Sequence, residues 1–303
     1  MEKVIIIGSG CAGLTAGIYT ARANLKPLII EGLQAGGLLT TTSDVENFSG
    51  FANGINGFEL VWNMRTQAEK FGARLLSDVV ESLDLSGDIK EVHLQSGKTL
   101  KCEKLILALG AKPRLTGALN EDTYYGGKGV STCATCDGAF YKNQDVAIIG
   151  GGDSACEEAD FLSKFASKVY LIHRRDTLRA SKIMAERALN NPKIIPIWDS
   201  AVIEVLGKDD KCHALKIENL KTKELSEIKV KAMFVAIGHS PNTQICKGQL
   251  ELDDAGYIIT QAHSLVKTSI ENVYAAGDCC DKEFRQAITA AGMGAMAAIL
   301  ASR

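Results

Sequence analysis

The sequence predicts an α/β fold of two doubly wound, Rossmann-like domains, the second inserted in the first. A glycine-rich turn follows an apolar run at Gly8 and again at Gly150, and each turn leads into a helix-like stretch and a second apolar strand. Two further apolar strands of similar sequence end at Gly110 and Gly238. A strand, turn and helix unit that recurs in this order indicates duplicated α/β domains.

Length and composition fit this class. A chain of 303 residues with 46% hydrophobic residues and five prolines has room for two globular domains, each with its own core. The net charge of -2 gives no electrostatic attraction to nucleic acid or to an anionic membrane, so neither is expected as a partner. The longest apolar stretch, 290–301, is too short to span a bilayer and predicts a packed helix.

The first turn has glycines at three spaced positions, Gly8, Gly10 and Gly13. Glycine permits the tight turn, the approach of a pyrophosphate and close packing of the helix, whose N-terminus attracts the anion. The second strand ends at Glu31, where a carboxylate is placed to accept hydrogen bonds from ribose hydroxyls. The turn therefore predicts a dinucleotide site, and on its own it fits FAD or NAD equally.

The second turn repeats the pattern with alanine at the third small position. Its candidate contacts are Gly150, Gly152, Asp153, Ser154 and Ala155. Counted from the first glycine, His173 stands where Glu31 stands in the first site, and two arginines follow it.

The contrast between these positions separates the two sites. A carboxylate repels a 2′-phosphate, whereas Arg174, Arg175 and Arg179 offer paired hydrogen bonds to one. The second site is therefore predicted to bind NADPH, which leaves FAD for the first. A solvated basic surface patch is the alternative interpretation of these arginines.

A third segment favours the flavin assignment of the first domain. A buried strand ends at Gly277-Asp278, where the carboxylate can meet a ribityl hydroxyl or the pyrophosphate. An ordinary turn at the end of a strand is the alternative. Arg285, Gln286 and Ala287 open the last helix beside it and are included among the FAD contacts.

These positions set the expected domain boundaries. Residues 1–113 and 243–303 are predicted to form a discontinuous FAD-binding domain, and residues 114–242 an NADPH-binding domain that carries a Cys-x-x-Cys pair. The chain crosses between them twice, at 112–114 and at 239–242, and the two crossings make a hinge.

The pair consists of Cys133 and Cys136, with Asp137 directly after it. Such a pair serves redox exchange, half of a zinc site, or ordinary buried thiols. Zinc would need Cys279 and Cys280 as further ligands, and adjacent cysteines have poor geometry for that. The redox interpretation gives Asp137 an acid-base role, although Asp-Gly is also a common turn.

Nine cysteines, an odd number, without a recognisable secretion signal favour the reducing cytoplasm.

Taken together, the motifs resemble those of the low-molecular-weight thioredoxin reductases, from Gly8 to the C-terminal helix. The matching motifs are Cys-Ala-Thr-Cys-Asp-Gly at 133–138, Gly-Gly-Gly-Asp-Ser-Ala at 150–155, His-Arg-Arg at 173–175, Gly-His-Ser-Pro-Asn at 238–242, and Ala-Gly-Asp through Arg-Gln-Ala at 276–287. The resemblance implies a homodimeric FAD enzyme that takes hydride from NADPH and reduces the disulfide of thioredoxin or a thioredoxin-like protein.

The resemblance also implies residue roles. Cys136 would face the flavin, Cys133 would attack the thioredoxin disulfide, and Asp137 would be the acid-base group. Gly36, Gly37 and Asn47 match positions that contact FAD. A large rotation of the inserted domain is implied as well, since the dithiol and the nicotinamide cannot both occupy the flavin face at once.

Three residues depart from the family pattern. Leu38 stands where Gln is frequent, Ser49 where Pro is common, and Leu109 where Thr often precedes the glycine. They bear on the surroundings of the flavin and leave the reaction class intact. The alternatives are a flavin-dependent dithiol oxidase, a reductase fed by ferredoxin, which the arginines disfavour, and, from another class, a zinc-dependent binding protein.

Overall fold

A computed structural model describes residues 1–41 and 44–303 of the chain. They form two compact units. The first joins Met1–Lys112 to Ser240–Arg303, and the second is the continuous segment Pro113–His239 between them. Each unit has its own parallel sheet, so the predicted α/β class is confirmed.

Nineteen strands and seven α-helices are formed by the described residues. The strands are β1 (Glu2–Ile7), β2 (Leu28–Ile30), β3 (Asp44–Val45), β4 (Ile55–Asn56), β5 (Arg74–Leu76), β6 (Val80–Asp84), β7 (Lys90–Leu94), β8 (Thr99–Leu107), β9 (Ala111–Pro113), β10 (Val130–Ser131), β11 (Asp145–Ile149), β12 (Lys168–Ile172), β13 (Ile194–Ile197), β14 (Ser200–Lys208), β15 (Lys211–Asn219), β16 (Leu225–Ile228), β17 (Ala232–Val235), β18 (His239–Pro241) and β19 (Val273–Ala275). The helices are α1 (Cys11–Arg22), α2 (Gly57–Lys70), α3 (Glu121–Tyr124), α4 (Ala134–Asp137), α5 (Asp153–Ser163), α6 (Lys182–Asn190) and α7 (Ala287–Ala301).

The sheet of the first unit has the order β5-β2-β1-β8-β7-β6, and β19 also pairs with β8. The strands β5, β2, β1, β8 and β19 are parallel, whereas β6 and β7 run antiparallel. Ile5 lies opposite Leu28 on one side and Leu105 on the other. Ile5 and Ile6 are both fully buried, in hydrophobic clusters on opposite faces, as expected of a parallel strand covered on both sides.

Helices α1 and α7 pack against each other on one face of this sheet, and small residues allow the contact. A Cβ atom at Gly294 would lie 2.1 Å from the carbonyl oxygen of Ala12, so only glycine fits there. A capping box starts α7, in which the Gln286 backbone N–H donates to Thr289 Oγ1 at 3.2 Å. This cap places the start of α7, predicted from sequence as a cofactor-contacting segment, at a defined position.

The second unit contains a five-stranded parallel sheet of order β10-β17-β11-β12-β13 and a three-stranded antiparallel sheet of order β14-β15-β16. Side chains of β11 alternate between two hydrophobic clusters, with Ile148 in the one that includes α5 and Ile149 in the one that includes β14 and β15. At the sheet edge, Ser131 of β10 lies opposite Phe234 of β17. The chain that follows Ser131 carries the two cysteines of the predicted dithiol.

The two crossings of the chain pair with each other, because β9 and β18 form a two-stranded sheet. On one side the Arg114 N–H donates to the Gly238 carbonyl oxygen at 2.9 Å. On the other, Asn242 donates its backbone N–H to Gly110 and its side-chain amide to Leu109. The conserved-looking turn residues at the crossings therefore hold the two linkers side by side.

Within residues 1–41 and 44–303, the length and apolarity needed to cross a bilayer are found in no helix.

Candidate active site

The first glycine turn joins β1 to α1, and its glycines have different tasks. A Cβ at Gly8 would lie 2.1 Å from the Ala108 oxygen, and one at Gly13 would lie 1.8 Å from the Gly8 oxygen. At Gly10 the nearest atom would be 4.0 Å away. Gly8 and Gly13 are therefore required by packing, whereas Gly10 leaves space above the start of α1, which has no side-chain cap.

The paired glycines close one side of this turn. Gly36 donates its N–H to Ser9 Oγ at 2.9 Å, and a Cβ at Gly37 would lie 3.3 Å from Gly10 Cα. Both paired glycines have positive φ angles, 88° and 70°, which glycine adopts without steric cost. The 36–37 segment thus lies directly against the turn at Gly10, as the predicted common site requires.

Glu31 is held by two partners that the sequence did not reveal. Arg65 of α2 forms an ion pair with Oε1, and Ser77 Oγ donates to Oε2 at 2.7 Å. The Glu31 side chain is only 2% exposed. A carboxylate at this depth requires a paired cation and hydrogen bonds, and its oxygens keep lone pairs for a further donor.

A small cavity adjoins this carboxylate. Its volume is about 80 Å³, and its lining includes Ser9, Glu31 and Gly36 together with Trp62 and Arg65 of α2. The Arg65 guanidinium lies 5.9 Å from the centre of the Trp62 ring, a cation-π distance. The predicted ribose contact and the glycine turn therefore share one polar-edged recess.

Asp278 follows Gly277 at the end of β19, in a mostly enclosed position. Burial, with the nearby Asp281 charge, raises the pKa of Asp278 to about 6, and the Arg285 guanidinium opposes that rise. The same carboxylate, after burial itself, helps to raise the pKa of Cys11 in the first turn of α1. Asp278 thus lies near the predicted pyrophosphate position.

Asn47 and Gln286, far apart in sequence, are brought together in the first unit. Asn47 Nδ2 donates to Gln286 Oε1 at 3.2 Å. Gln286 precedes Ala287, the first residue of α7, and Arg285 before it has a positive φ of 49°. The structure places all predicted FAD contacts in this unit, on the glycine turn, the 36–47 loop and the start of α7.

The second glycine turn, between β11 and α5, repeats the first. A Cβ at Gly150 would lie 2.5 Å from the Ala236 oxygen, and Ala155 already places its own Cβ against Gly150. Nothing lies within 4 Å of the corresponding position at Gly152, where α5 starts without a side-chain cap. Gly152 therefore leaves the same open space as Gly10 does in the first unit.

Two other residues of this turn begin α5. Asp153 accepts from the Ser181 backbone N–H at 2.7 Å and from the Ser181 hydroxyl at 2.8 Å. Ser154 is exposed in the first helical turn. The Asp153 carboxylate thus ties the loop before α6 to the start of α5.

His173 has a different environment from the cationic cluster expected. Its ring is buried against Gly151, where a Cβ would lie 2.3 Å from the ring. Burial, with the charge of Arg179 next in weight, lowers the pKa of His173. The histidine is therefore neutral near pH 7 and acts by packing, which leaves the positive charge to the arginines.

The three arginines Arg174, Arg175 and Arg179 are exposed and all act on the His173 charge. Within the part of the chain that the structure describes, no ion pair is formed by any of them. Arg179 donates its backbone N–H to the Gly151 oxygen at 2.6 Å, so the loop returns this arginine to the glycine turn. The cluster is thus free to bind an anion beside Gly152.

Cys133 and Cys136 form a disulfide with their Cα atoms 5.3 Å apart. Cys133 is the N-cap of the one-turn helix α4, and its Sγ accepts from the Cys136 N–H at 3.2 Å. Thr135 Oγ1 lies 3.3 Å from the same sulfur. The predicted redox pair is therefore assembled, at a partly exposed position.

Asp137 ends α4 and is partly buried. Burial raises its pKa, and a hydrogen bond from Ser131 opposes the rise. Tyr141 is close to this carboxylate, because burial and then the Asp137 charge raise the pKa of Tyr141 to about 12. An acid whose neutral form is favoured by burial suits proton exchange with a dithiol.

The other seven cysteines are free thiols, six of them buried. Cys279 Sγ donates to the Leu107 and Ala276 oxygens at 3.4 Å, and Cys280 Sγ to Gly277 at 3.3 Å. Among residues 1–41 and 44–303, no group of three or more His, Cys, Asp or Glu is arranged to hold a metal ion. Cys279 and Cys280 belong to the core of the first unit.

Two glycine turns with open anion sites, together with a disulfide and an adjacent buried acid, define a class: a dinucleotide-dependent disulfide oxidoreductase. The chain belongs to the pyridine nucleotide-disulphide oxidoreductase family, whose model matches residues 2–294.

Similar proteins share one name. The chain is 55% identical over 300 residues to a thioredoxin reductase of Streptomyces coelicolor, covering 99% of this chain and 92% of that protein. The structure resembles thioredoxin reductases of Giardia duodenalis, with a TM-score of 0.94 and 43% identity, and of Streptococcus pyogenes, with 0.93 and 42%. Each of these covers 99% of this chain and 97% of the other. The family resemblance indicated by the motifs is confirmed.

Sequence reasoning missed several residues that shape these sites. Arg65 and Ser77 hold Glu31, and Ser9 holds the paired glycines. These partners are far from one another in sequence and belong to no local motif. Ser131, two residues before Cys133, carried a usable signal, since serine hydroxyls often accept from the N–H two residues on.

Proposed function

We propose that this protein is an NADPH-dependent thioredoxin reductase that uses FAD. The observation that carries the proposal is the Cys133–Cys136 disulfide, which caps a one-turn helix that ends in the partly buried acid Asp137. A disulfide in this position is the acceptor that a reductase needs between a nucleotide and a protein substrate. The relatives that match almost the whole chain are named thioredoxin reductase.

Enzymes of this family use FAD and NADPH, and the first unit has the features that FAD requires. Space above Gly10 and the uncapped start of α1 suit a pyrophosphate, and Glu31 suits a ribose. The residues assigned to hold FAD are Gly8, Gly10, Gly13, Glu31, Gly36, Gly37, Asn47, Gly277, Asp278, Arg285, Gln286 and Ala287. When bound, FAD supplies the relay of two electrons between NADPH and the disulfide.

The second unit is assigned to NADPH. The open position at Gly152 and the uncapped start of α5 suit its pyrophosphate, and Arg174, Arg175 and Arg179 suit its 2′-phosphate. His173 supports the turn from below as a neutral packing residue. Gly150, Asp153, Ser154 and Ala155 complete the set through the turn and the first turn of α5.

The dithiol transfers electrons to the protein substrate by exchange. The Cys133 thiolate attacks one sulfur of the thioredoxin disulfide, which breaks that bond and forms a mixed disulfide. Cys136 then attacks Cys133 Sγ, which releases reduced thioredoxin and restores the Cys133–Cys136 bond. Asp137 exchanges the protons that the thiols gain and lose.

Three further expectations belong to this proposal. The protein acts as a homodimer in the cytoplasm, and its second unit rotates between a dithiol step and a nicotinamide step. The seven free thiols suit a reducing compartment. Light scattering of the purified protein tests the dimer, and an inter-unit fluorescence distance measured with and without NADPH tests the rotation.

The decisive experiment follows NADPH oxidation by the purified flavoprotein with bacterial thioredoxin and a disulfide dye, beside a Cys136→Ser variant. Thioredoxin-dependent turnover that disappears in the variant supports the proposed electron path. NADPH oxidation that ignores thioredoxin rejects it and directs the search to oxygen or another disulfide protein as the acceptor. A protein without flavin colour rejects the FAD assignment.

A further inference from the structure

The Ser131 hydroxyl connects the two groups of the disulfide step. Its Oγ lies 3.1 Å from the Cys133 backbone nitrogen and 3.4 Å from the Cys133 carbonyl oxygen. The same hydroxyl forms a hydrogen bond with the Asp137 carboxylate. One buried side chain, 7% exposed, therefore meets both the disulfide segment and its neighbouring acid.

The backbone around this hydroxyl is fixed. Ser131 is the last residue of β10 and lies opposite Phe234 of β17. Beyond it, Thr132 Oγ1 lies 3.1 Å from the Tyr125 hydroxyl, and the Asp137 N–H donates to the Cys133 oxygen at 3.2 Å. With these bonds made, rotation of the Ser131 O–H is the adjustable element of the network.

We propose that Ser131 is a positioning residue, which holds the Asp137 carboxyl group beside the Cys133–Cys136 pair in both of its protonation states. This inference rests on the proposed function. A hydroxyl both donates and accepts, so it donates to Asp137 when the carboxylate is ionised. When Asp137 is protonated, Ser131 accepts from it and turns its own proton toward the Cys133 oxygen.

The proton count of the step is consistent with this role. Reduction of the disulfide breaks the bond between the two sulfurs, takes up two electrons and two protons, and forms two thiols. NADPH supplies the electrons. Asp137 supplies one proton and becomes a carboxylate, to which Ser131 donates, and water supplies the second. Reoxidation by thioredoxin returns both protons.

Few titratable groups surround Asp137. The Tyr141 hydroxyl lies close to it, with Cys212 nearby. Where α5 packs against Gly138 it presents Leu162 and Phe161, with Glu158 one helical turn before Leu162. Burial raises the pKa of Asp137 and the Ser131 bond is the effect that opposes it. Loss of the hydroxyl therefore leaves the rise unopposed.

The test compares two variants of matched shape, Ser131→Thr, which keeps the hydroxyl, and Ser131→Val, which lacks it. Both β-branched residues suit the end of a strand. Ser163→Ala is the control, because Ser163 is a comparably buried serine of the same unit, with its Oγ 2.7 Å from the Asp160 oxygen. Thioredoxin-dependent turnover is measured across pH, and NADPH oxidation by ferricyanide, which bypasses the dithiol, is measured in parallel.

We expect Ser131→Val to shift the pH limb that belongs to Asp137 upward by about one pH unit, the effect of one hydrogen bond to a charged group. Ferricyanide reduction stays at the wild-type rate, and Ser131→Thr restores the wild-type limb. A Ser131→Val profile that superimposes on those of wild type and Ser163→Ala overturns the inference, as does a shift that Ser131→Thr shares fully.

Failure of the proposed function has a separate signature. If the wild-type protein shows no thioredoxin-dependent turnover, the function is rejected whatever Ser131 does. If Ser131→Val does not fold by circular dichroism, Ser131→Ala takes its place with the same expected shift. A wild-type limb in that variant then overturns the inference.

Discussion

The carbonyl oxygen of Ala108 occupies the place that a side chain at Gly8 would need, since a Cβ there would lie 2.1 Å from it. The second unit repeats the relationship, with the Ala236 oxygen 2.5 Å from a Cβ at Gly150. In each unit, the residue after a neighbouring strand of the sheet presses on the first glycine of the turn. Duplication thus preserved a steric contact as well as a motif.

This contact separates structural glycines from ligand-facing ones. Gly8→Ala should prevent stable folding, because the backbone cannot clear the overlap. Gly10→Ala should fold with a thermal midpoint near that of wild type yet retain much less flavin, because its methyl group enters open space reserved for the pyrophosphate. Flavin absorbance per protein and thermal unfolding measure both effects. Equal flavin content in Gly10→Ala and wild type would contradict the assignment.

The ion pair between Arg65 and Glu31 predicts weaker flavin binding when the arginine is lost. Arg65→Gln leaves the buried carboxylate without its cation, so Glu31 loses its orientation toward the ribose. We expect the FAD dissociation constant to rise about tenfold or more, as titrated by flavin fluorescence.

Arg74→Gln is the matched control, because Arg74 forms an exposed ion pair with Glu2 on the same sheet. It should leave FAD affinity unchanged. A loss of affinity shared equally by both variants would attribute the effect to general destabilisation of the unit.

The arginine cluster predicts how the enzyme chooses between nucleotides. In an Arg174→Ala, Arg175→Ala double variant, the preference for NADPH over NADH should fall by about ten- to a hundredfold, the value of one or two charge-assisted hydrogen bonds. The kcat/KM ratio for the two nucleotides measures it. Arg187→Ala, which removes an exposed arginine paired with Asp160, should keep the preference, and an unchanged ratio in the double variant would show the phosphate clamp is elsewhere.

Asp137→Asn tests the acid-base assignment. Burial raises the pKa of Asp137 in the folded state, so folding favours the protonated acid. The associated stability is present below the unfolded pKa and is lost as pH rises through the folded one. The variant should therefore be no less stable than wild type near pH 7, while thioredoxin turnover falls about a hundredfold, within the usual range for a general acid. Wild-type turnover in Asp137→Asn would remove the role.

Asp278 gives a larger effect of the same sign. Its pKa rises from 3.8 to about 6, which corresponds to about 3 kcal/mol of folding free energy lost as pH rises across that interval. Asp278→Asn should therefore stabilise the flavin-free protein near pH 7 and have little effect near pH 3.5, as denaturant titrations at the two pH values would show. A stability difference independent of pH would contradict the burial of this carboxylate.

Much of the fold was predictable because its signals are local. Glycine turns after apolar runs identified β1, β11 and the helices that follow them, and the paired cysteines identified the dithiol. The predicted clamp at His173 failed in one respect, because its ring packs under Gly151 and is neutral, a consequence of contacts that only the folded chain defines.

The partners of predicted residues were less accessible. Arg65 lies on α2 and reaches Glu31 at the end of β2 because the sheet and helix bring them together. Nothing in the residues next to Arg65 distinguishes it from an ordinary exposed helical arginine. Charge pairing across elements depends on register and helix rotation, which hydrophobic periodicity alone does not determine.

The packing of α7 on α1 makes the order of synthesis matter. The second unit is one continuous segment and can fold as soon as it leaves the ribosome, whereas the first unit waits for the final helix to reach Ala12 through Gly294. Until then the nascent chain carries an unfinished domain on which one apolar helix face is bare. Loss of a few C-terminal residues should therefore expose that face to proteases and chaperones while the inserted segment remains intact.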